Sequence, residues 1–133
     1  MRLGVLVVCA ALVAAGCGSE SPDLFEVTRS GADRNANVTL VVSDGGSVRC
    51  NGAEHALDAK LLLRARELAR DLGRQAELGL ELPPGRGSTL RYRARLETGH
   101  VAFSDRSAGQ PKTFVLLAQF TKDVAEDVCG IER

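Results

Sequence analysis

The sequence predicts an α+β fold, in which a single antiparallel sheet of about five strands carries two helices packed on one face and is braced by one disulfide. Three observations lead to this prediction. Several short segments alternate apolar and polar residues, which is the period of a half-buried strand. Two other segments repeat apolar residues at intervals of three and four, the period of an amphipathic helix. The elements follow in the order strands, helix, hairpin, helix, which is typical of α+β domains.

The first half of the domain begins with three predicted strands. Residues 24–29 alternate apolar and polar side chains, and residues 38–43 are rich in β-branched side chains. Asp44-Gly45 supplies the positive φ that a tight hairpin requires, so residues 47–50 are expected to be the short return strand. We expect residues 51–55, which include His55, to form a second turn.

The first helix follows this turn. One apolar stripe recurs at helical spacing and consists of Leu57, Leu61, Ala65, Leu68 and Leu72. Asp58 is suited to cap the start of the helix, and Gly73 is suited to stop it in the left-handed conformation. Alternatively, the helix restarts through residues 75–78 and finishes at Gly79.

A proline-containing loop and a second hairpin come next. Two adjacent prolines exclude residues 82–88 from a helix or a central strand, so this segment is predicted to be an exposed loop. Residues 90–96 then alternate strictly between apolar and charged side chains, and Thr98-Gly99 turns the chain into a strand at residues 101–104.

The second helix is predicted to begin at Pro111, because proline is favoured in the first helical turn. Its inner stripe consists of Phe114, Leu117, Thr121, Val124 and Val128, and Gly130 is expected to end it. Cys129 therefore lies at the end of this helix.

The first 17 residues have the pattern of an export signal. Arg2 supplies a positive charge, residues 3–12 are almost entirely apolar, and small residues lead to Cys17. About ten apolar residues are too few to span a bilayer as a helix. The Ala-Ala-Gly-Cys ending resembles the lipobox of bacterial lipoproteins, in which cleavage precedes the cysteine and that cysteine receives the lipid.

That resemblance implies a signal peptide at residues 1–16, a lipidated Cys17 with a tether through residue 23, and one α+β domain at residues 24–133. The mature protein would then be anchored by lipid to the extracytoplasmic face of the cell membrane. The alternative is an ordinary secretory signal, cut at the Ala-x-Ala-like site within residues 10–14, which would release a secreted protein.

Composition narrows the range of partners. The chain has 17 basic and 17 acidic residues, and this balance argues against general nucleic-acid binding, which needs a basic face. Lysine occurs only at Lys60, Lys112 and Lys122, so almost every basic residue is arginine. Together with abundant Ala, Gly, Leu and Val, this composition indicates a GC-rich bacterial genome, and we predict an actinobacterial source.

Cys50 and Cys129 are the cysteines that remain after Cys9 is removed with the signal and Cys17 is lipidated. Outside the cytoplasm two such thiols normally oxidise, and a bridge closing a loop of about 80 residues stabilises the fold by roughly 4 kcal/mol in the chain-entropy account. A redox or metal-binding pair is the alternative, although neither cysteine has a second ligand at CxxC spacing.

The strand at residues 90–96 carries the first candidate binding surface. Arg91, Arg93 and Arg95 project to one face because side chains alternate along a strand. The guanidinium groups could simply form a solvated outer face, or they could dock carboxylates or phosphates, which arginine binds with two parallel hydrogen bonds. Anionic lipid headgroups or an envelope protein would be the partner in the second case.

The loop at residues 82–88 is the second candidate, with Arg86 near its tip. A stiff loop loses little entropy when a partner binds it, although the segment could equally be a simple connector.

The sequence contains no complete pattern of catalytic or metal-binding residues. His55 and His100 both fall in predicted turns, and no set of three or four zinc ligands is assembled by spacing. No Gly-x-Ser-x-Gly elbow is present. We therefore predict a protein that is not an enzyme and that uses neither a metal nor another cofactor.

Two families resemble the chain. From about residue 25 to residue 133 it resembles small actinobacterial envelope lipoproteins of unknown function, over residues 38–51, 61–72, 83–96 and 114–130. That resemblance implies a compartment and a fold but no activity.

The chain is also similar to the subtilisin inhibitor family in three places: Thr39 to Cys50, Gly52-Ala53-Glu54-His55 before a helix, and Gly109-Gln110-Pro111 before a terminal cysteine. The loop cysteine and the helix cysteine of those inhibitors are missing. The sequence therefore predicts a lipid-anchored binding or accessory module, with inhibition of a serine protease through residues 82–88 as the alternative.

Overall fold

The computed structural model describes residues 23–133, which form one six-stranded antiparallel sheet with two helices on one face. The predicted α+β fold is therefore confirmed, with one strand more than expected. The elements are β1 (Asp23–Gly31), β2 (Val38–Ser43), β3 (Ser47–Cys50), β4 (Ala53–Ala56), α1 (Ala59–Glu77), β5 (Leu90–Leu96), β6 (Gly99–Ser104) and α2 (Lys112–Asp123), which continues into a π-helical turn at Val124–Val128.

The spatial order of the strands is β4-β3-β2-β1-β5-β6. β1 therefore lies inside the sheet, between the two hairpins that the sequence predicted. It pairs with β2 from Asp23 to Arg29 and with β5 from Glu26 to Gly31. This pairing gives the sheet two distinct ends. The hairpin end contains Asp23 and the β5–β6 turn, and the loop end contains residues 82–89 and 105–110.

β4 was not predicted from the sequence, because residues 51–55 were expected to form one turn. The turn is shorter, since Asn51 and Gly52 both adopt positive φ (48° and 91°) and reverse the chain within two residues. Ala53–Ala56 then pairs with β3 and forms the sheet edge. His55 consequently lies on a strand and not in a turn. Ala-Glu-His-Ala has no β-branched residue, so the sequence gives this strand little signal.

α1 runs without interruption through Gly73, so the predicted stop at Gly73 is wrong and the alternative end near Gly79 is confirmed. Asp58 caps the helix as predicted, because its Oδ1 accepts a hydrogen bond from the amide of Leu61 at 2.8 Å. The carbonyl of Gly73 accepts a hydrogen bond from Oγ1 of Thr98 at 3.1 Å, which links the middle of α1 to the β5–β6 turn.

The core lies between the inner face of the sheet and the two helices. Phe103 of β6 stacks on Tyr92 of β5 at 5.1 Å and on Phe114 of α2 at 4.5 Å between ring centroids. Phe120 of α2 contacts Phe25 of β1 edge to face at 5.8 Å. The phenylalanine rings are completely or almost completely buried, so these contacts fix α2 against the sheet. The other face of the sheet carries neither helix.

The predicted disulfide between Cys50 and Cys129 is present, with Cα atoms 5.9 Å apart. It joins the end of β3 to the residue that follows the π-helical turn, 79 positions further along the chain. Within residues 23–133, no helix combines the length and the apolar character needed to cross a membrane.

Candidate functional site

The outer, helix-free face of β5 carries the three arginines that the sequence predicted to lie together. Arg91, Arg93 and Arg95 are exposed, whereas Leu90 and its alternating neighbours Tyr92 and Ala94 are buried on the inner face. The structure confirms the predicted alternation along this strand. It does not give the three arginines the same surroundings.

Arg95 lies nearest the hairpin end and is paired with a carboxylate. Its cross-strand partner on β1 is Glu26, and Nη2 of Arg95 lies 3.4 Å from Oε2 of Glu26. The charge of this arginine is thus balanced by a neighbour on the same face.

Arg93 is also paired, with a residue that lies outside the strands. Nη1 of Arg93 lies 3.1 Å from Oε1 of Glu81, and the same oxygen lies 3.2 Å from Nε2 of His100. Glu81 reaches this position because residues 80–82 run beside β6, with hydrogen bonds between Ala102 and both Leu80 and Leu82. His100 lies on β6, so its predicted place in a turn is wrong.

Arg91, at the loop end, makes neither an ion pair nor a side-chain hydrogen bond with any residue between 23 and 133. Its cross-strand neighbours are Ser30 of β1 and Ser104 of β6. Serine hydroxyls carry no charge, so they do not balance the positive charge of this guanidinium, and its hydrogen-bond donors are not used by residues 23–133. We call Arg91, Arg93 and Arg95 the arginine strip. Arg91 is therefore the member of this strip that is best placed to bind an external group.

The loop at residues 82–88 lies beside Arg91 and is held in place at several points. Oγ of Ser107 donates a hydrogen bond to the carbonyl of Pro83 at 2.8 Å, and the amide of Ser88 donates to the carbonyl of Gly85 at 3.1 Å. Gly85 packs against the backbone carbonyl of Arg106 so closely that a Cβ at this position would overlap it. The loop is thus a fixed, exposed structure, as its two prolines predict.

Arg86 occupies the turn at the tip of this loop and is exposed. Arg106 lies beside the next residue of this turn, since a Cβ on Gly87 would be 3.6 Å from Nη1 of Arg106. Neither arginine has an ion-pair partner in the described part of the chain. Arg86 and Arg106 thus add positive charge at the end of the sheet where Arg91 lies.

Asp105 fixes the start of β5 under this loop. Its carboxylate accepts hydrogen bonds from the amide and the hydroxyl of Thr89 at 3.1 Å and 3.0 Å, and from the amide of Leu90 at 3.3 Å. Burial raises the pKa of Asp105, but these hydrogen bonds favour the charged form more strongly and hold the pKa below its ordinary value. The carboxylate is therefore engaged with the backbone and not with Arg91.

A cleft of about 270 Å³ separates the loop from the sheet. Its wall and floor are formed by Ser30, Gly31, Pro84, Ser88, Thr89, Leu90, Arg91 and Ser104. The two candidates that the sequence singled out, Arg91 and the 82–88 loop, thus meet in one site, whereas Arg93 and Arg95 lie outside it.

Three serine hydroxyls in this cleft are unused. Ser30, Ser88 and Ser104 make no side-chain hydrogen bond within residues 23–133. The Oγ of Ser88 is also shielded from solvent without a partner, an arrangement that proteins normally avoid. The meeting of these serines could not be predicted from the sequence, because it depends on strand register and on how the loop packs.

Metal binding has no support in the described residues. No group of three or more His, Cys, Asp or Glu side chains between residues 23 and 133 is arranged to hold a metal ion. Glu54 and His55 are neighbours on β4, so their side chains point to opposite faces of the sheet. Cys17, the predicted lipidation site, lies outside the described residues.

Comparison of the chain with protein-family models, with curated proteins and with solved structures finds no match.

Proposed function

We propose that this chain is a lipid-anchored, extracytoplasmic binding or accessory lipoprotein that meets its partner with the loop end of the sheet. The single observation that carries the proposal is the separation of the two ends. The predicted anchor at Cys17 precedes Asp23 by six residues, and Asp23 begins β1 at the hairpin end. Arg86 and Arg91, which form no ion pair within residues 23–133, lie at the loop end.

The dimensions of the chain support this division. Six residues extend for at most about 20 Å, so an anchored Cys17 would keep Asp23 near the bilayer. From Asp23 to Ser30, which pairs with Arg91, β1 rises by about 23 Å. The loop end would then face away from the membrane, toward other molecules of the cell envelope.

Charge pairing favours an envelope protein over anionic lipid as the partner. Arg95, the arginine of the strip nearest the hairpin end, is balanced by Glu26, and Arg93 is balanced by Glu81. Arg91 of the same strand and Arg86 of the loop, which form no ion pair within residues 23–133, lie at the far end, where headgroups of the anchoring bilayer are least accessible. The role proposed here is binding, with no catalytic step, cofactor or nucleic acid.

The anchor is tested by replacing Cys17 with Ala and separating membranes from soluble material. We expect the wild-type protein in the membrane fraction and the Cys17→Ala protein in the soluble fraction or the medium, because the lipidated residue is lost. Cys9→Ala, within the apolar run of the same signal, is the matched control and should remain with the membrane. Retention of the Cys17→Ala protein in membranes would contradict the lipid anchor.

Inhibition of a serine protease through residues 82–88 is the second candidate. The loop favours it in one respect, since Ser107 and the 85–88 turn hold Arg86 exposed at the tip. The same turn bends the Arg86–Gly87 peptide, whereas serine proteases bind their substrates in an extended conformation. Steady-state assays with trypsin-like and subtilisin-like proteases separate the two roles, because an inhibitor binds tightly and reversibly whereas a substrate is cleaved in the loop.

A further inference from the structure

We propose that the cleft between the start of β5 and the 83–89 loop binds a four-oxygen oxyanion, a phosphoryl or sulfuryl group carried by the partner or free in solution. This inference rests on the proposed binding role and gives that role its ligand chemistry. It goes beyond a general arginine strip, because it assigns the contact to one arginine and to the serines around it.

The donors in the cleft are the first argument. Arg91 offers a planar set of N–H groups that can bind two oxygens side by side, and none of its donors is engaged by residues 23–133. Ser30 and Ser104 flank it on the neighbouring strands, in register with Arg91. Three adjacent positions across the sheet thus carry side-chain donors that the described residues do not use.

Rotation about χ1 would bring a further donor, the Oγ of Ser88, from its solvent-shielded position to the wall of the cleft. Ser88 belongs to the loop that forms the wall of the cleft, whereas Arg91, Ser30 and Ser104 belong to the sheet. The two oxygens of a carboxylate lie in one plane, so a single guanidinium can donate a hydrogen bond to each of them. A tetrahedral oxyanion has further oxygens outside that plane, and these can accept hydrogen bonds from the loop.

The surrounding charge is consistent with this ligand class. Arg86 and Arg106 stand at the loop without carboxylate partners among residues 23–133. Asp105, the nearby acidic side chain, has its oxygens engaged by Thr89 and Leu90. The volume of about 270 Å³ is ample for a phosphoryl group together with part of the molecule that carries it.

The test is a titration of the whole purified protein with inorganic phosphate, followed by NMR of the backbone amides. Sodium chloride at matched ionic strength corrects for screening. We expect saturable shifts at residues 30–31 and 88–91 with phosphate and with sulfate, but not with acetate. Arg91→Ser should weaken phosphate binding at least tenfold, and Ser88→Ala should weaken it several-fold.

Arg95→Ser is the matched control, because it removes an exposed arginine of the same strand face that already has a partner. It should leave phosphate binding within twofold of the wild type. Absence of saturable shifts, equal losses in the Arg91 and Arg95 variants, or equally strong binding of acetate would each overturn the assignment. If phosphate binding fails in one of these ways while Cys17→Ala still releases the protein from membranes, the proposed ligand class is wrong. The proposed role as an anchored binding protein is then unaffected.

Discussion

Arg91, Arg93 and Arg95 occupy alternate positions on one strand, and their different surroundings are decided by residues elsewhere in the chain. Alternation alone predicted that all three face outward, and they do. It could not predict that Glu26 and Glu81 would balance two of them, because those carboxylates arrive through strand pairing and through the segment beside β6. We therefore assign the proposed binding contact to Arg91 alone and not to all three arginines.

Asp105 gives the loop end a measurable dependence on pH. Its pKa is lower in the folded protein than the value of about 3.9 usual for an unfolded chain, because the amides of Thr89 and Leu90 bind the charged form. The stabilisation is present above the unfolded pKa and is lost as the pH falls through the folded pKa. Asp105→Asn should lower the free energy of unfolding at pH 7 by about 1 kcal/mol, because hydrogen bonds to a charged acceptor contribute more to stability than those to a neutral amide.

Urea denaturation between pH 7 and pH 2.5 measures this effect, and the difference between wild type and Asp105→Asn should shrink toward the acidic end. Asp33→Asn serves as the control. Asp33 forms an exposed ion pair with Arg133 at 3.3 Å, and its loss should cost less than about 1 kcal/mol. A difference between wild type and Asp105→Asn that does not change with pH would contradict the role given to the carboxylate.

At the scale of single elements, α1 is a helix that tolerates a glycine in its interior. Gly73 has helical geometry, and a Cβ there would meet no atom within 4 Å. Gly73→Ala should therefore raise the free energy of unfolding by about 0.5–1 kcal/mol, because alanine loses less backbone entropy in a helix.

Gly79→Ala is the contrasting variant, since Gly79 has a φ of 61° that strains any residue with a Cβ. Thermal or urea denaturation measures both effects, and Gly79→Ala should lower the free energy of unfolding. A destabilising effect of Gly73→Ala would mean that α1 is not continuous through this position.

The elements with strong periodicity were predicted well from the sequence. The strict alternation of β5 and the apolar stripes of both helices identified their type and their buried faces. Predictions from a single residue or from a short segment were less reliable. Gly73 suggested a helix stop that tertiary packing overrides, and the short β4 lacks β-branched residues altogether.

At the scale of the whole molecule, the features that a sequence cannot reveal are those that depend on strand order. Arg29 illustrates this, because it lies on the inward-facing side of β1 and is 1% exposed. Its guanidinium donates hydrogen bonds to the carbonyls of Ala36 and Asn35 at 2.8 Å and 3.0 Å, which holds the β1–β2 connection over the core. Burial lowers the pKa of Arg29 from its ordinary value.

The candidate cleft depends on the same long-range order. Ser30, Arg91 and Ser104 belong to three strands and Ser88 belongs to a loop, and they meet only because β5 lies between β1 and β6. The Cys50–Cys129 disulfide was easier to predict, since compartment and cysteine count leave one pair once the signal and the lipid site are assigned.

The central claim is that the two ends of the sheet face different surroundings, and site-specific photocrosslinking in intact cells tests it most directly. A photoreactive residue at position 86 probes the loop end, and one at position 97, which is exposed in the β5–β6 turn near Asp23, probes the hairpin end. We predict that position 86 crosslinks to one recurrent protein of the cell envelope and that position 97 crosslinks mainly to lipid. A protein captured only from position 97, or lipid captured equally from both, would contradict the proposed orientation and binding surface.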